Sequence, residues 1–217
     1  MILGTPASAS RASSKLEREM TGADLKAAVA AFFNRSDLAD VISQSADLAV
    51  LKLEREGFWF QVKSGAINTA ASVGYVSYPA DFLHFLYEGL KNAQGVPLSK
   101  QSLQLISYLQ QSEGGEGEPV YYAQGDKIYL YPVPDQVYSL PCIYYCRLGF
   151  PADAESNAWT DYAYDLTYWT VIQDVWNYMR NTAEAAKAAE QKNKVLVNLR
   201  RISGLNTGVG RVQYHDF

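Results

Sequence analysis

Apolar residues recur at helical spacing towards both ends of the chain and at strand spacing in its middle. Leu25, Ala28, Val29, Phe32 and Phe33 form a stripe behind Thr21-Gly22-Ala23-Asp24, where Thr21 or Asp24 can cap a helix. A second helix is predicted after Ser36-Asp37, lined by Leu38, Val41, Ile42, Ala46, Leu48, Ala49, Leu51 and Leu53, running to about Arg55 before Gly57. From Phe58 to Leu148 the chain reads as short strands broken by Gly, Pro, Asn and Asp, with candidates at 58–63, 73–78, 83–88, 119–123, 127–131 and 137–148. Ser99 to Gln111 carries a helical pattern inside that region. Gln124-Gly125-Asp126 reads as a hairpin turn, because Gly125 takes a positive φ at no steric cost.

Helical spacing returns near Asn157, with Trp159, Leu166, Trp169, Ile172, Val175, Trp176 and Met179 at three- and four-residue steps. A last helix is expected from about Thr182 to Ile202, with Ala185, Ala188, Ala189, Leu196 and Leu199 inside and Gly204 as its stop. The expected fold is therefore α+β: a helical bundle formed by N- and C-terminal helices, with an inserted small antiparallel β-domain. The expected segments are a flexible arm at 1–20, bundle helices at 21–57, a β-rich insert with one short helix at 58–148, further bundle helices at 149–203, and an extended tail at 204–217.

Composition narrows the chemistry. With 217 residues, 48% of them hydrophobic and 13% aromatic, the chain has material for a real core and is no disordered polymer. Nineteen Lys and Arg against twenty-three Asp and Glu argue against a general nucleic-acid binder. The charge is uneven. Residues 180–217 hold seven Lys/Arg against Glu184, Glu190 and Asp216, residues 1–20 sum to +1, and the middle is left at −9. A basic C-terminal arm on an acidic body either docks on something acidic or is a solvated helix face with a loose tail.

Met1-Ile2-Leu3 is far shorter than a signal-peptide apolar region, and no stretch has the roughly 18 apolar residues of a membrane span. Cys142 and Cys146 lie four apart in a strand-like run, on one face but too distant for a bridge, and read as buried thiols in a reducing compartment. The chain has no Walker loop, dinucleotide fingerprint, GxSxG elbow or HExxH. His84, in a strand-like segment, reads as structural rather than as a base, and His215 as a terminal contact. The acidic pairs Asp161/Asp165 and Glu54/Glu56 have the residue types for glycoside chemistry, but such spacing usually marks a solvated face. No enzyme, cofactor or metal site is expected.

Seven of the sixteen tyrosines fall between positions 121 and 145. Tyr121, Tyr129, Tyr131, Tyr138 and Tyr145 are candidates for a subunit or tail interface, since Tyr pairs an apolar body with a polar tip. A sugar-stacking platform, as in a β-sandwich carbohydrate-binding module, is the alternative. Ordinary β-propensity is the plain explanation. Base stacking is weakest, because only Lys127 and Arg147 accompany these rings.

An ordered set of motifs runs through residues 21–203. Tyr78-Pro79-Ala80-Asp81-Phe82-Leu83 resembles the Pro-x-Asp-Phe step into the β-insert of head-to-tail adaptor proteins of tailed bacteriophages. Val96-Pro97-Leu98 is similar to their Pro-Leu segment, and Glu118-Pro119-Val120-Tyr121-Tyr122-Ala123-Gln124-Gly125 to a strand ending in Gly125. Ile128 to Tyr138, with Pro132, Pro134 and Asp135, resembles their Pro-x-Pro-Asp-x-x-Tyr hairpin, Tyr144-Tyr145 their Tyr-Tyr strand, and Trp159 the Trp that opens the first C-terminal helix.

The resemblance implies a structural virion protein in the neck between capsid and tail, made in the host cytoplasm. It implies a ring of copies, twelve-fold, beneath the portal protein ring, which extends the DNA channel and receives a tail tube or nozzle protein. DNA passes without specific binding, and no membrane is involved. Another neck or tail-completion protein of similar build is the near alternative. In this setting Arg200, Arg201, Arg211, Tyr214 and Phe217 are candidates for portal docking, since aromatic and Arg side chains best offset the cost of ordering a tail.

Overall fold

Thr21 starts the first helix by a reciprocal cap. Its hydroxyl accepts the Asp24 N–H at 3.2 Å, and the Asp24 carboxylate accepts the Thr21 N–H at 3.0 Å. In a computed structural model, which describes residues 20–207, this helix, α1, spans Gly22–Phe33 and ends at Asn34 in the left-handed region. After a 3₁₀ turn at Ser36–Leu38, α2 covers Ala39–Leu53 and closes through a turn at Glu54–Glu56 onto Gly57, φ 71°. The apolar stripe of α2 differs from the expected one in detail. Val50 and Ser45 are buried, whereas Leu48 and Leu51 face outwards.

The expected strand at 58–63 is displaced. Trp59–Gln61 forms a 3₁₀ turn, and β1 runs Val62–Asn68. The Gln61 side chain organises the turn, accepting the Phe58 N–H at 2.9 Å and donating to the Glu54 carbonyl at 3.1 Å. The aromatic run 58–60 thus serves the bundle, not the sheet, and Phe58 lies in a bundle cluster with Trp159 and Leu166.

The insert contains β2 (Tyr75–Val76), β3 (Phe82–Leu90), β4 (Ser99–Lys100), α3 (Leu103–Ser112), β5 (Tyr121–Gln124), β6 (Ile128–Tyr131) and β7 (Ser139–Cys146). They form two sheets, one ordered β1-β7-β3 and the other β2-β6-β5-β4. The strands pair antiparallel except β4 with β5, so the insert is antiparallel-rich rather than purely so. That parallel pair also shortens the expected helix at Ser99. The Ser99 N–H binds the Val120 carbonyl and the Gln101 N–H the Tyr122 carbonyl, so α3 starts only after its cap, Ser102.

The β5–β6 turn is present, but Gly125 is not among the glycines with positive φ. Space explains the glycine instead, since a Cβ there would lie 3.3 Å from the Tyr129 ring and 3.5 Å from Leu103. In β7 Leu140, Cys142, Tyr144 and Cys146 form one buried face of a pleated strand, and Tyr145 is buried on the other face. The first four meet Ile67, Leu90, Tyr122, Ile128 and Leu130 in the core between the sheets.

The chain returns to the bundle through α4 (Ala158–Tyr162), capped by Asn157, then α5 (Tyr164–Tyr178) and α6 (Thr182–Thr207). α6 passes through Gly204, which was expected to stop it. A glycine within a helix costs about 1 kcal/mol relative to Ala and does not break it, and packing of the buried Leu199 and Ser203 holds this end. The Trp59 N–H donates to the Ser203 hydroxyl at 2.9 Å, tying the last turns of α6 to the junction. Residues 204–207 are therefore helix, not tail. Arg211, Tyr214 and Phe217, and the expected arm to residue 19, lie outside the described residues.

Candidate functional site

The bundle and the insert meet at a polar junction. Glu54, at the end of α2, is 1% exposed, and its Oε1 accepts the N–H groups of Leu148 and Gly149 at 2.8 Å each. Gln61, fully buried beside it, donates to the Glu54 carbonyl and, at 3.4 Å, to the Cys146 carbonyl. The end of β7 is thus fastened to the end of α2 by buried polar bonds. Trp159 packs edge-on against Phe58 and Phe60, with ring centroids 5.9 and 5.1 Å away. Its buried indole N–H has no partner among the described residues.

The step into β3 explains its motif. The Pro79 carbonyl accepts the Phe82 N–H at 3.0 Å, closing a turn that presents Asp81. The Asp81 carboxylate takes Lys63 Nζ at 2.6 Å and the Tyr144 hydroxyl at 3.0 Å, and its carbonyl takes the Arg147 N–H at 2.7 Å. The hydrogen bond from Lys63 holds the Asp81 carboxyl below the usual carboxylate range, and the same bond raises the Lys63 ammonium. Phe82 stacks on Tyr78 at 4.6 Å and meets Phe85 at 4.7 Å. One aspartate therefore joins all three strands of the first sheet.

The hairpin residues play parallel parts. The Tyr138 hydroxyl donates to Asp135 at 2.6 Å, and the Tyr129 hydroxyl to Asp126 at 2.8 Å, each across three residues. The Tyr131 hydroxyl donates to Glu113 at 3.0 Å. Tyr131–Pro132 is a cis peptide, and the buried Pro134 accepts the Ser72 N–H on its carbonyl at 2.7 Å. Pro97 is exposed in a bridge with Lys91.

The candidate tyrosines are split between the sheets. Tyr121, Tyr129 and Tyr131 sit on β5 and β6, Tyr145 on β7 and Tyr138 just before it. Tyr131 and Tyr145 are buried, which leaves Tyr121, Tyr129 and Tyr138 as the members able to touch another molecule.

At the basic end, Arg200 pairs with Glu56 through its guanidinium, and Arg201 is exposed, donating to Asn198 at 3.2 Å. The four carboxylates considered for glycoside chemistry are not brought together as two reacting pairs. Glu54 is buried on backbone N–H groups, Glu56 holds Arg200, and Asp161 and Asp165 are exposed. His84 is exposed against the Tyr145 ring at 4.6 Å. Cys142 and Cys146 are free and buried, and burial pushes both thiols up. Among the described residues no group of three or more His, Cys, Asp or Glu could hold a metal ion, and no helix is long and apolar enough to cross a membrane.

Sequence reasoning placed Glu54 with Glu56 on a solvated face and missed its buried role at the junction. The signal is its place: a carboxylate one turn before a helix-closing glycine, with an aromatic run behind it.

A family model described as SU10 adaptor protein matches residues 20–210. No curated protein matches the chain.

Proposed function

The chain belongs to the SU10 adaptor protein family, a phage head-to-tail adaptor family, and from that premise we propose that it forms a ring beneath the portal, extends the DNA channel and receives the tail. A structural phage role follows from membership itself. The match across 20–210, covering both the helical bundle and the β-insert, is the observation that carries the finer reading. A helical bundle and a β-insert locked by a buried polar joint suit a part that transmits load between partners. A body with a sum of −9 before the basic C-terminal region also suits a conduit that does not grip phosphates.

In this reading Arg211, Tyr214 and Phe217 dock on the portal, with Arg200 and Arg201 on the helix that precedes them. Tyr121, Tyr129 and Tyr138 serve contacts with neighbours or with the tail. The hydroxyls of Tyr129 and Tyr138 are already committed to Asp126 and Asp135, which favours packing over sugar recognition. The test is a pull-down of the tagged chain from its native source, with electron microscopy of the eluate. A ring joined to a larger ring-forming protein supports the proposal. A lone monomer retained on a glycan column would replace it with the carbohydrate-binding reading.

A further inference from the structure

A ring of identical subunits closes through a heterologous contact, in which each copy presents two different patches that fit each other. Two helix faces of this chain meet that requirement. On α2, Leu48 and Leu51 are 53% and 49% exposed, although they lie on a helix whose opposite side is core. Asp47 stands beside them, exposed, and its carboxylate has no hydrogen bond or ion pair among the described residues. On α6, Val197, Arg201 and Leu205 follow at four-residue steps on the face opposite Ala188, Leu199 and Ser203, and Val197 and Leu205 are 65% and 77% exposed.

The charges complement one another. Lys187, Lys194 and Arg200 of α6 are neutralised by Glu184, Glu190 and Glu56 of the same chain. Arg201 has only the neutral amide of Asn198. One helix thus offers an apolar pair beside a free carboxylate, and the other an apolar pair around a guanidinium without a carboxylate. An apolar centre with a charged pair at its edge is the anatomy of a protein–protein contact.

We infer that the outer face of α6 in one copy packs on the outer face of α2 in the next, with Arg201 meeting Asp47 and Val197 and Leu205 seated against Leu48 and Leu51. This rests on the ring reading above, and it places Arg201 in the contact between copies rather than among the portal-docking residues. The occupant is a second copy because both halves of the match lie on one chain, on different helices.

The test measures self-association of the full-length chain by sedimentation velocity over rising concentration, for wild type, Asp47→Arg, Arg201→Asp, their combination, and Val197→Ser. All four variants carry surface changes only, and circular dichroism confirms that each folds. The wild type is expected to form rings, alone or once purified portal rings are added. Each single change is expected to weaken association about tenfold or more, and the charge swap to bring it back to within about threefold of wild type. Single variants that assemble like the wild type, or a charge swap that fails to recover, would overturn this pairing and leave the ring reading standing. A wild type that stays monomeric at every concentration, both alone and with purified portal rings, would overturn both.

Discussion

The carboxylate of Glu54 accepts the backbone N–H of Gly149 at 2.8 Å, 95 residues further along the chain. The same oxygen takes the N–H of Leu148. Removing it leaves two half-buried donors without an acceptor, each at the lower part of the about 1–3 kcal/mol that a buried donor costs. Glu54→Ala is therefore expected to lower the unfolding free energy by about 2–4 kcal/mol in urea titrations. Glu54→Gln keeps an acceptor oxygen and is expected to lose less than half of that.

Trp159 is expected to show an asymmetric response to substitution. Truncation to Ala empties the site between Phe58 and Phe60 and is expected to cost about 3–5 kcal/mol. Substitution by Phe leaves a smaller void and also removes an N–H that is buried without a partner. Trp159→Phe is thus expected to cost less than half as much as the Ala variant, again by urea titration.

Gly22 reverses a common rule. Gly to Ala inside a helix usually stabilises by up to about 1 kcal/mol. Here a Cβ would meet the Pro151 carbonyl oxygen at 2.5 Å and that of Ala152 at 2.8 Å, while the Gly22 N–H is bound to the Glu155 carbonyl at 3.0 Å. Gly22→Ala is expected to lower the melting temperature, by pushing the start of α1 off the 151–155 segment.

The Lys63–Asp81 pair sets an acid dependence. The Asp81 carboxyl lies below its ordinary 3.8 when folded, chiefly through the hydrogen bond from Lys63. Between those two values the unfolded chain binds the proton and the folded chain does not, so stability rises with pH there. The contribution is complete above 3.8 and is lost as pH falls through the folded value. Lys63 acts in the opposite sense: raised above 10.5, it contributes below that pH and loses its contribution as pH rises through the folded value. The pair is solvent-exposed, so the effect is small. Asp81→Asn is expected to flatten the acid limb of the urea midpoint against pH.

The portal-docking proposal has its own test. Removing residues 208–217 leaves α6 entire to Thr207. The shortened chain is expected to keep its circular dichroism spectrum and melting temperature and to lose binding to portal rings in co-sedimentation. Full binding by the shortened chain would count against Arg211, Tyr214 and Phe217.

Features that depend on local chemistry were legible in the sequence. The Thr21 cap, the alternation Leu140-Cys142-Tyr144-Cys146 and the order of helices around a β-insert all follow from short-range pattern. The misplaced elements share another cause. The run 58–60 has strand composition, but its rings are drawn into the bundle against Trp159, so β1 starts at Val62. Gly204 has the composition of a stop, yet Ser203 is tied to Trp59 from 144 residues away. Glu54 and Glu56 look alike in sequence, whereas one binds backbone N–H groups at the joint and the other Arg200. The motif residues Pro79, Asp81, Pro132 and Asp135 were visible as pattern, and the bonds that explain them became visible only with the strands placed.

The proposed place of this chain is the neck of a phage particle, between portal and tail. Cryo-electron microscopy of purified virions of the native phage, with mass spectrometry of the same particles, tests that placement. The chain is expected among the virion proteins, with a ring of its helical bundles and β-inserts fitting density between the portal and the tail. Virions that lack the chain, or hold it away from that position, would overturn it.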